Sequence, residues 1–186
     1  MMTVRELAAR GRFPCCVPFA RMGEADERYI DKALSLAGVF DLRDRPLQSW
    51  SGGQRQRARM AMVLAQDTPI VLLDEPTSFM DVAACFDMAR LIRRVQARGK
   101  TVVAVIHDLN MTLSVGDCVF MMERGCLAAQ GEPESECVCA AVERSFGVRL
   151  ERAQAASGTA WVPFEHTRDW RAPTTREASR PGCGSR

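Results

Sequence analysis

The chain has 186 residues, enough to bury a hydrophobic core and to form one domain with a small second lobe. Its 25 Lys and Arg residues against 23 Asp and Glu residues leave a net charge of +2, which argues against a dedicated nucleic-acid surface. Because residues 1–12 show no signal peptide and no apolar run reaches transmembrane length, the sequence predicts a cytosolic protein.

The amino-terminal part predicts helices. Thr3 is a candidate N-cap with Glu6 three residues later, the spacing of a capping box, and the helix ends near Gly11. A second helix is predicted over Glu24–Ala37, where apolar residues recur at helical spacing. A turn at residues 44–46 follows it.

A small-residue turn, Ser51-Gly52-Gly53-Gln54, opens the next predicted helix, which runs to Gln66. Two glycines let a backbone come close to a ligand, and the free N–H groups of a helix start attract anions such as phosphate. Taken alone, the same four residues are also compatible with an ordinary helix N-terminus.

A short apolar run over residues 70–73 predicts a strand that is buried on both faces. It ends in two carboxylates, Asp74 and Glu75, followed by Pro76. Open α/β sheets bind ligands at the carboxyl edge of their strands, where one carboxylate can hold Mg²⁺ and the other can orient a water. A strand followed by a proline turn is the structural alternative.

A helix over Val82–Ala97 and a second strand over Thr101–Ile106 complete a predicted right-handed βαβ unit. Its two strands would be parallel, so His107, which follows the second strand, would share an edge with Asp74 and Glu75. A lone His after a strand is more often structural, but its position beside two carboxylates favours a functional role.

The remaining sequence predicts smaller elements and a tail without structure. They are a helix over Leu109–Val115, a hairpin turning at Gly125, a helix near residues 139–146, and short strands over Val148–Arg152 and Ala160–Pro163. From about Glu165 the chain is rich in Arg, Pro, Ser, Thr and Gly, which predicts disorder.

These motifs together resemble the ATP-binding subunit of ATP-binding cassette (ABC) transporters. SGGQ resembles the signature motif of this family, with Trp50 where Leu is usual, and IVLLDEP resembles its Walker B strand. Residues 78–81 resemble the D-loop, with Met80 where Leu is usual, and His107 resembles the switch histidine. The segments GQRQRARMAMVLAQDTPIVLLDEPT and HDLN are similar to sequences of the branch that serves iron–siderophore, haem and cobalamin importers. The resemblance covers about residues 3–164.

The resemblance implies an α/β fold: the C-terminal part of an ABC-type P-loop NTPase domain, with a helical subdomain and a partial parallel sheet flanked by helices. The expected divisions are a helical signature subdomain over 1–66, a partial RecA-like ATPase core over 67–164, and a disordered tail over 165–186. The implied cofactors are ATP and Mg²⁺. The implied partners are a transmembrane permease subunit and a second ATP-binding subunit in a dimer, with no nucleic acid, in the cytoplasm on the inner face of the cell membrane.

The resemblance also assigns roles residue by residue. The signature residues would bind, in trans, a nucleotide held by the second subunit, Asp74 would hold Mg²⁺, Glu75 would act on the attacking water, and His107 would contact the γ-phosphate. The signature residues are Ser51, Gly52, Gly53 and Gln54, and the expected D-loop residues are Ser78 and Asp81.

The sequence lacks one motif of the family. No stretch reads G-x-x-x-x-G-K-[ST], the loop that holds the β- and γ-phosphates, and the Gln of the Q-loop is also missing. The predicted function is therefore that of a truncated ATP-binding or ATPase subunit of an importer for iron–siderophore or related metal chelates. Two alternatives remain open: a non-hydrolysing ABC-like interaction fragment, and the relic of a truncated gene.

Overall fold

The computed structural model describes residues 1–15, 22–78, 80–155 and 158–165. They form two compact units, residues 1–116 and residues 117 onward. The predicted division after residue 66 lies inside the first unit and stays a prediction. Glu165 ends the last strand, and the predicted disordered tail beyond it lies outside the described residues.

Three helices open the first unit: α1 (Val4–Arg10), α2 (Glu24–Ala37) and α3 (Gly52–Ala65). The capping box that begins α1 is confirmed, since Thr3 and Glu6 each accept a hydrogen bond from the other's backbone N–H. The helices pack on one another because each turns an apolar stripe inward. Buried residues of these stripes include Val4, Ala8, Ile30, Leu34, Met60 and Leu64.

Short 3₁₀ segments connect these helices at residues 13–15, 40–42 and 47–49. The segment near residue 45 pairs with the chain start, where Thr3 forms a single antiparallel bridge with Pro46.

The predicted βαβ unit follows as β1 (Ile70–Asp74), α4 (Val82–Gln96) and β2 (Thr101–Val105), and then α5 (Leu109–Val115). The two strands pair in parallel over their whole length, which confirms the predicted pairing. One face of this sheet joins the core through Val71, Leu73 and the buried residues of α4, which are Met88, Leu91, Ile92 and Val95.

The prediction that β1 is buried on both faces was wrong. Only alternate residues of β1 are buried, and Ile70 and Leu72 are 55% and 71% exposed. The adjacent residues of β2 are exposed in the same way, so one face of the sheet carries four uncovered apolar side chains: Ile70, Leu72, Val103 and Val105. The reason is that helices cover one face only, and within the described residues no element covers the other.

The second unit contains two antiparallel hairpins and one helix. The hairpins are β3 (Val119–Glu123) with β4 (Cys126–Gly131), and β5 (Val148–Ala155) with β6 (Gly158–Glu165); between them lies α6 (Glu136–Phe146). Arg124 and Gly125, with φ of +50° and +80°, form the two-residue turn of the first hairpin, which confirms the prediction at Gly125. Helix α6 packs on β3, β4 and β5.

Within the part of the chain that the structure describes, no helix has the length and apolar character needed to cross a membrane.

Candidate functional site

The residues that the sequence predicts to bind phosphate form the start of α3. Ser51 is the N-cap, and its Oγ accepts a hydrogen bond of 3.3 Å from the N–H of Gln54. The Gln54 side chain returns the contact, since its Oε1 accepts a hydrogen bond of 3.1 Å from the N–H of Ser51. This is a capping box, so both polar side chains of the turn are engaged within their own helix.

The two glycines of this turn present backbone donors. Ser51 and Gly52 are exposed, and among the described residues no hydrogen bond takes up the N–H of Gly52 or Gly53. Such N–H groups belong to the first turn of a helix, where the macrodipole also places partial positive charge. The geometry therefore suits an approaching anion, with donors from the backbone and from the Ser51 hydroxyl and the Gln54 side-chain amide, whose oxygens only accept within the capping box.

Gly53 has a second use that the sequence did not indicate. A Cβ at this position would lie 2.9 Å from the Cβ of Ala84, which is in the first turn of α4. Only a residue without a side chain lets the start of α3 come this close to α4. The glycine thus serves helix packing, in addition to the ligand access that the sequence predicts.

The second group of candidate residues gathers around Glu75, directly after β1. Its N–H donates to the carbonyl of Val105 at 3.0 Å, which extends the parallel pairing by one residue. Its φ of +45° lies in the left-handed region, an uncommon conformation for a residue with a side chain. The Ser78 hydroxyl donates to Glu75 Oε2 at 2.6 Å, and His107 Nε2 lies 2.7 Å from Oε1.

These contacts change the acidity of Glu75. The hydrogen bond from Ser78 lowers its pKa below the ordinary 4.5, and the hydrogen bond and charge of His107 lower it further. Both partners favour the ionised form because they donate to, or attract, the negative charge. Glu75 is therefore a carboxylate at neutral pH, and the predicted proximity of Glu75 and His107 is confirmed.

The two aspartates of the motif differ in their surroundings. Asp74 is exposed at the end of β1, and its carboxylate has no polar partner within the described residues. Asp81 is the N-cap of α4, where its Oδ1 accepts a hydrogen bond of 2.8 Å from the N–H of Ala84. The expected D-loop aspartate thus holds the same turn of α4 that Gly53 contacts.

A magnesium ion would find only part of its ligand shell here. Mg²⁺ prefers six oxygen ligands and is usually held by one or two carboxylates together with phosphate oxygens and waters. Asp74 offers one such carboxylate, but the described residues contain no group of three His, Cys, Asp or Glu side chains that could hold a metal ion. The residues present therefore fit Mg²⁺ only if a nucleotide supplies most of the remaining ligands.

Comparison with known proteins decides the family. The family profile described as ABC transporter matches residues 1–78, which include the SGGQ turn and β1. Over this part, the chain therefore matches the ABC transporter family. This confirms the resemblance stated from the sequence.

Curated relatives include ATP-binding proteins of iron importers. The ferric enterobactin transport ATP-binding protein of Escherichia coli is 40% identical over 149 residues, which cover 80% of this chain and 55% of that protein. The petrobactin import ATP-binding protein FpuC of Bacillus anthracis is 36% identical and covers 87% of this chain and 60% of that protein. The iron(3+)-hydroxamate import ATP-binding protein of Bacillus subtilis is 39% identical, over 70% of this chain and 49% of that protein.

Solved structures confirm the fold class. A metal-chelate type ABC transporter in an inward-facing conformation superposes with a TM-score of 0.80 and 26% identity, over 89% of this chain and 68% of that chain. The ADP conformation of an ATP-binding cassette gives a TM-score of 0.67 at 23% identity, over 78% of this chain and 63% of that chain. The chain spans about half to three fifths of the length of the curated relatives it matches.

The site that emerges has two parts in the first unit. The structure brings Glu75, Ser78 and His107 together at one sheet edge, and it places Ser51 to Gln54 at the start of α3. The roles assigned to these residues by resemblance stay predictions. The sequence did not indicate the contact between Ser78 and Glu75, because it depends on the path of the loop after Pro76 rather than on a repeating pattern.

Proposed function

We propose that this chain provides the signature half of a composite ATP site in an importer of iron–siderophore or related metal chelates. In this proposal the SGGQ turn faces a nucleotide that is held by the phosphate-binding loop of a second ATP-binding subunit. A transmembrane permease subunit is the other proposed partner, which would bring the chain to the inner face of the cell membrane. The cargo class is carried over from the names of the relatives, which specify enterobactin, petrobactin and hydroxamate chelates.

The proposal rests on the hydrogen bonding at the start of α3. Its capping box is complete, so the turn is held in shape without a ligand, and the N–H groups of Gly52 and Gly53 stay available. Preorganised backbone donors at a helix N-terminus suit a phosphate because they need no reorganisation when it arrives. The exposed position of Ser51 and Gly52 leaves room for a phosphate that another chain holds.

The Glu75 group supports the same family role but lacks a phosphate-binding loop in this sequence. Bound ATP supplies the phosphoanhydride bond whose hydrolysis drives such importers, and Mg²⁺ neutralises charge on the phosphates. In this chain Asp74 would face the ion, and Glu75 would accept a hydrogen bond from a water. The carboxylate form of Glu75, held by Ser78 and His107, is the form that this task requires.

A nucleotide-dependent pull-down tests the proposal. The bait is the intact ferric enterobactin transport ATP-binding protein, with Mg²⁺ and a non-hydrolysable ATP analogue or without nucleotide. We expect the analogue to increase capture of the wild-type chain at least tenfold. Ser51→Arg should abolish that increase, because a long cation at the N-cap removes the capping hydroxyl and blocks approach of the turn to the phosphate.

Two controls separate this role from others. Ser35→Arg makes the same substitution at an exposed position in α2 and should leave nucleotide-dependent capture unchanged. Glu75→Gln should also leave it unchanged, since in this proposal the shared nucleotide lies at the SGGQ turn. Background-level capture of both the wild type and Ser51→Arg, with and without the analogue, would contradict the proposal and favour an inert relic. Nucleotide-independent capture by all variants would favour the alternative of a non-hydrolysing interaction fragment.

A further inference from the structure

A cavity lies at the opposite end of the sheet from Glu75. It is formed where the chain enters β1 and β2, between the end of α4 and the exposed side of α2, and its volume is about 460 Å³. Its polar lining consists of Tyr29, Lys32, Asp67, Arg98 and Lys100. Because parallel strands share their amino edge, this cavity is separated by the length of the strands from the proposed nucleotide site.

One of the three cations in the cavity is fixed and neutralised. Lys100 Nζ lies 2.8 Å from Asp67 Oδ1 and donates to the carbonyl of Thr68 at 2.8 Å, and its side chain is only 17% exposed. Asp67 is the acidic residue that lines the cavity, and it has a left-handed φ of +54°. This ion pair therefore forms one wall of the cavity, and Lys100 neutralises the negative charge of Asp67.

The other two cations have no acidic partner. Lys32 projects from α2 and Arg98 follows α4, and neither makes an ion pair within the described residues. Among the described residues, the Lys32 ammonium group lies near the Tyr29 ring, whose centroid is 5.8 Å away. Two cations from separate elements thus line one concave surface, where walls of low dielectric constant strengthen the attraction for an anion.

The rest of the lining is apolar or aromatic. Leu36, Leu64 and Pro69 line the cavity together with the Tyr29 ring. A smaller hollow of about 130 Å³, which shares Tyr29 and Lys32, continues along α2 to Arg28 and adds a further cation. The cavity volume is within the usual range of small-molecule sites, and its lining combines apolar surface with a few convergent polar groups.

We propose that this cavity binds a small organic polyanion whose carboxylate or phosphate groups lie between Lys32 and Arg98. Charge-assisted hydrogen bonds from an ammonium and a guanidinium would hold the anionic groups, and a guanidinium can bind carboxylate or phosphate through two parallel hydrogen bonds. The Tyr29 ring and the leucines would cover the carbon skeleton. This site is independent of the proposed ATP site, so its test does not depend on nucleotide binding.

Isothermal titration of the full chain with citrate, and separately with pyrophosphate, tests the proposal at an ionic strength held constant with NaCl. We expect a saturable isotherm for at least one of these anions. Lys32→Gln and Arg98→Gln should each weaken its binding by about tenfold or more, the change that corresponds to about 1.4 kcal/mol. Saturable binding of citrate alone would identify a polycarboxylate site, and of pyrophosphate alone a phosphate site.

The matched control is Arg94→Gln, which removes the same charge from α4 at an exposed position outside the cavity. It should bind as the wild type does, and Arg98→Lys should recover part of the loss. The melting temperature of each variant without ligand shows whether the fold is kept. Absence of saturable binding of both anions to the wild type, or equal weakening by Arg94→Gln and Arg98→Gln, would overturn the proposal.

Discussion

Arg12 is the residue whose replacement we expect to damage the first unit most clearly. It is only 8% exposed and lies between three elements. Its Nη1 donates to the carbonyl of Ala65 at 2.9 Å, at the end of α3, and its Nε donates to Asp26 Oδ1 at 3.0 Å. Its guanidinium carbon is 4.3 Å from the centroid of the Tyr29 ring. Arg12→Met removes these contacts but keeps an unbranched apolar stem of similar length.

The magnitude follows from what the substitution leaves behind. The Ala65 carbonyl is one of the last acceptors of α3 and would lose its buried partner, which costs about 1–3 kcal/mol. The partly desolvated contact with the Tyr29 ring contributes roughly 1 kcal/mol more. The ion pair with Asp26 adds to this loss but is left out of the sum, because water screens that contact. The expected loss in the free energy of unfolding is therefore about 3 kcal/mol.

Urea denaturation followed by the fluorescence of buried Trp50 measures this loss at pH 7. Arg10→Met is the matched control: Arg10 is exposed and has no side-chain partner within the described residues, so its replacement should change the free energy of unfolding by less than about 0.5 kcal/mol. Equal midpoints and slopes for the wild type and Arg12→Met would refute the inference that Arg12 joins α1, α2 and α3.

The pH dependence of the same variant gives a second readout. The pKa of Asp26 lies below the ordinary 3.8, held there by the N–H of Gly23 and then by Arg12. A carboxylate with a lowered pKa in the folded state stabilises the fold above pH 3.8, and this contribution is lost as the pH falls through the lowered value. The difference between the wild type and Arg12→Met should therefore shrink when the pH is lowered below 3.8.

Three further predictions concern the candidate site and the sheet. The purified chain with Mg²⁺ and ATP should release no phosphate above background, because its sequence has no P-loop; turnover that disappears in Glu75→Gln would contradict this. The pKa of Glu75, measured by carboxyl NMR, should lie below 4.5 in the wild type and rise in Ser78→Ala, which loses the donor at 2.6 Å; an unchanged value would mean that the hydroxyl does not hold the carboxylate. Amides of β1 should exchange with solvent faster than those in the middle of α2, because within the described residues the sheet has two strands and one uncovered face; comparable protection would mean that the free edge is covered.

Local sequence signals predicted most of the helices and strands. Thr3 with Glu6 marks the start of α1, and α2 lies over Glu24–Ala37, where apolar residues at helical spacing predicted it. The parallel pairing of β1 and β2 followed from a helix of suitable length between two β-rich runs. That pairing also placed Glu75 and His107 at one edge, since the distance between them depends only on the unit they share.

Contacts that depend on a third element were not predictable in this way. An apolar run shows that a strand can be buried on two faces, but the exposure of Ile70 and Leu72 depends on which elements are present to cover them. No sequence pattern indicates the role of Arg12 either. It follows a helix that ends at Arg10, but it donates a hydrogen bond to the carbonyl of Ala65, more than fifty residues later. The cavity between Lys32 and Arg98 likewise requires the packing of α2 against the amino edge of the sheet.

The SGGQ turn illustrates why a motif and its geometry have to be considered together. From the sequence, the Ser51 hydroxyl and Gln54 are expected to contact a nucleotide together with the backbone N–H groups of the two glycines. In the structure each of these side chains accepts a hydrogen bond from the backbone N–H of the other residue, so the Ser51 O–H and the N–H groups of Gly52 and Gly53 all remain available as donors. An arriving phosphate therefore has two routes: it can bind the backbone donors alone, or it can also accept a hydrogen bond from the Ser51 hydroxyl of the intact capping box. Ser51→Ala separates them, since it costs about 1 kcal/mol of helix stability in either case but removes a phosphate ligand only in the second.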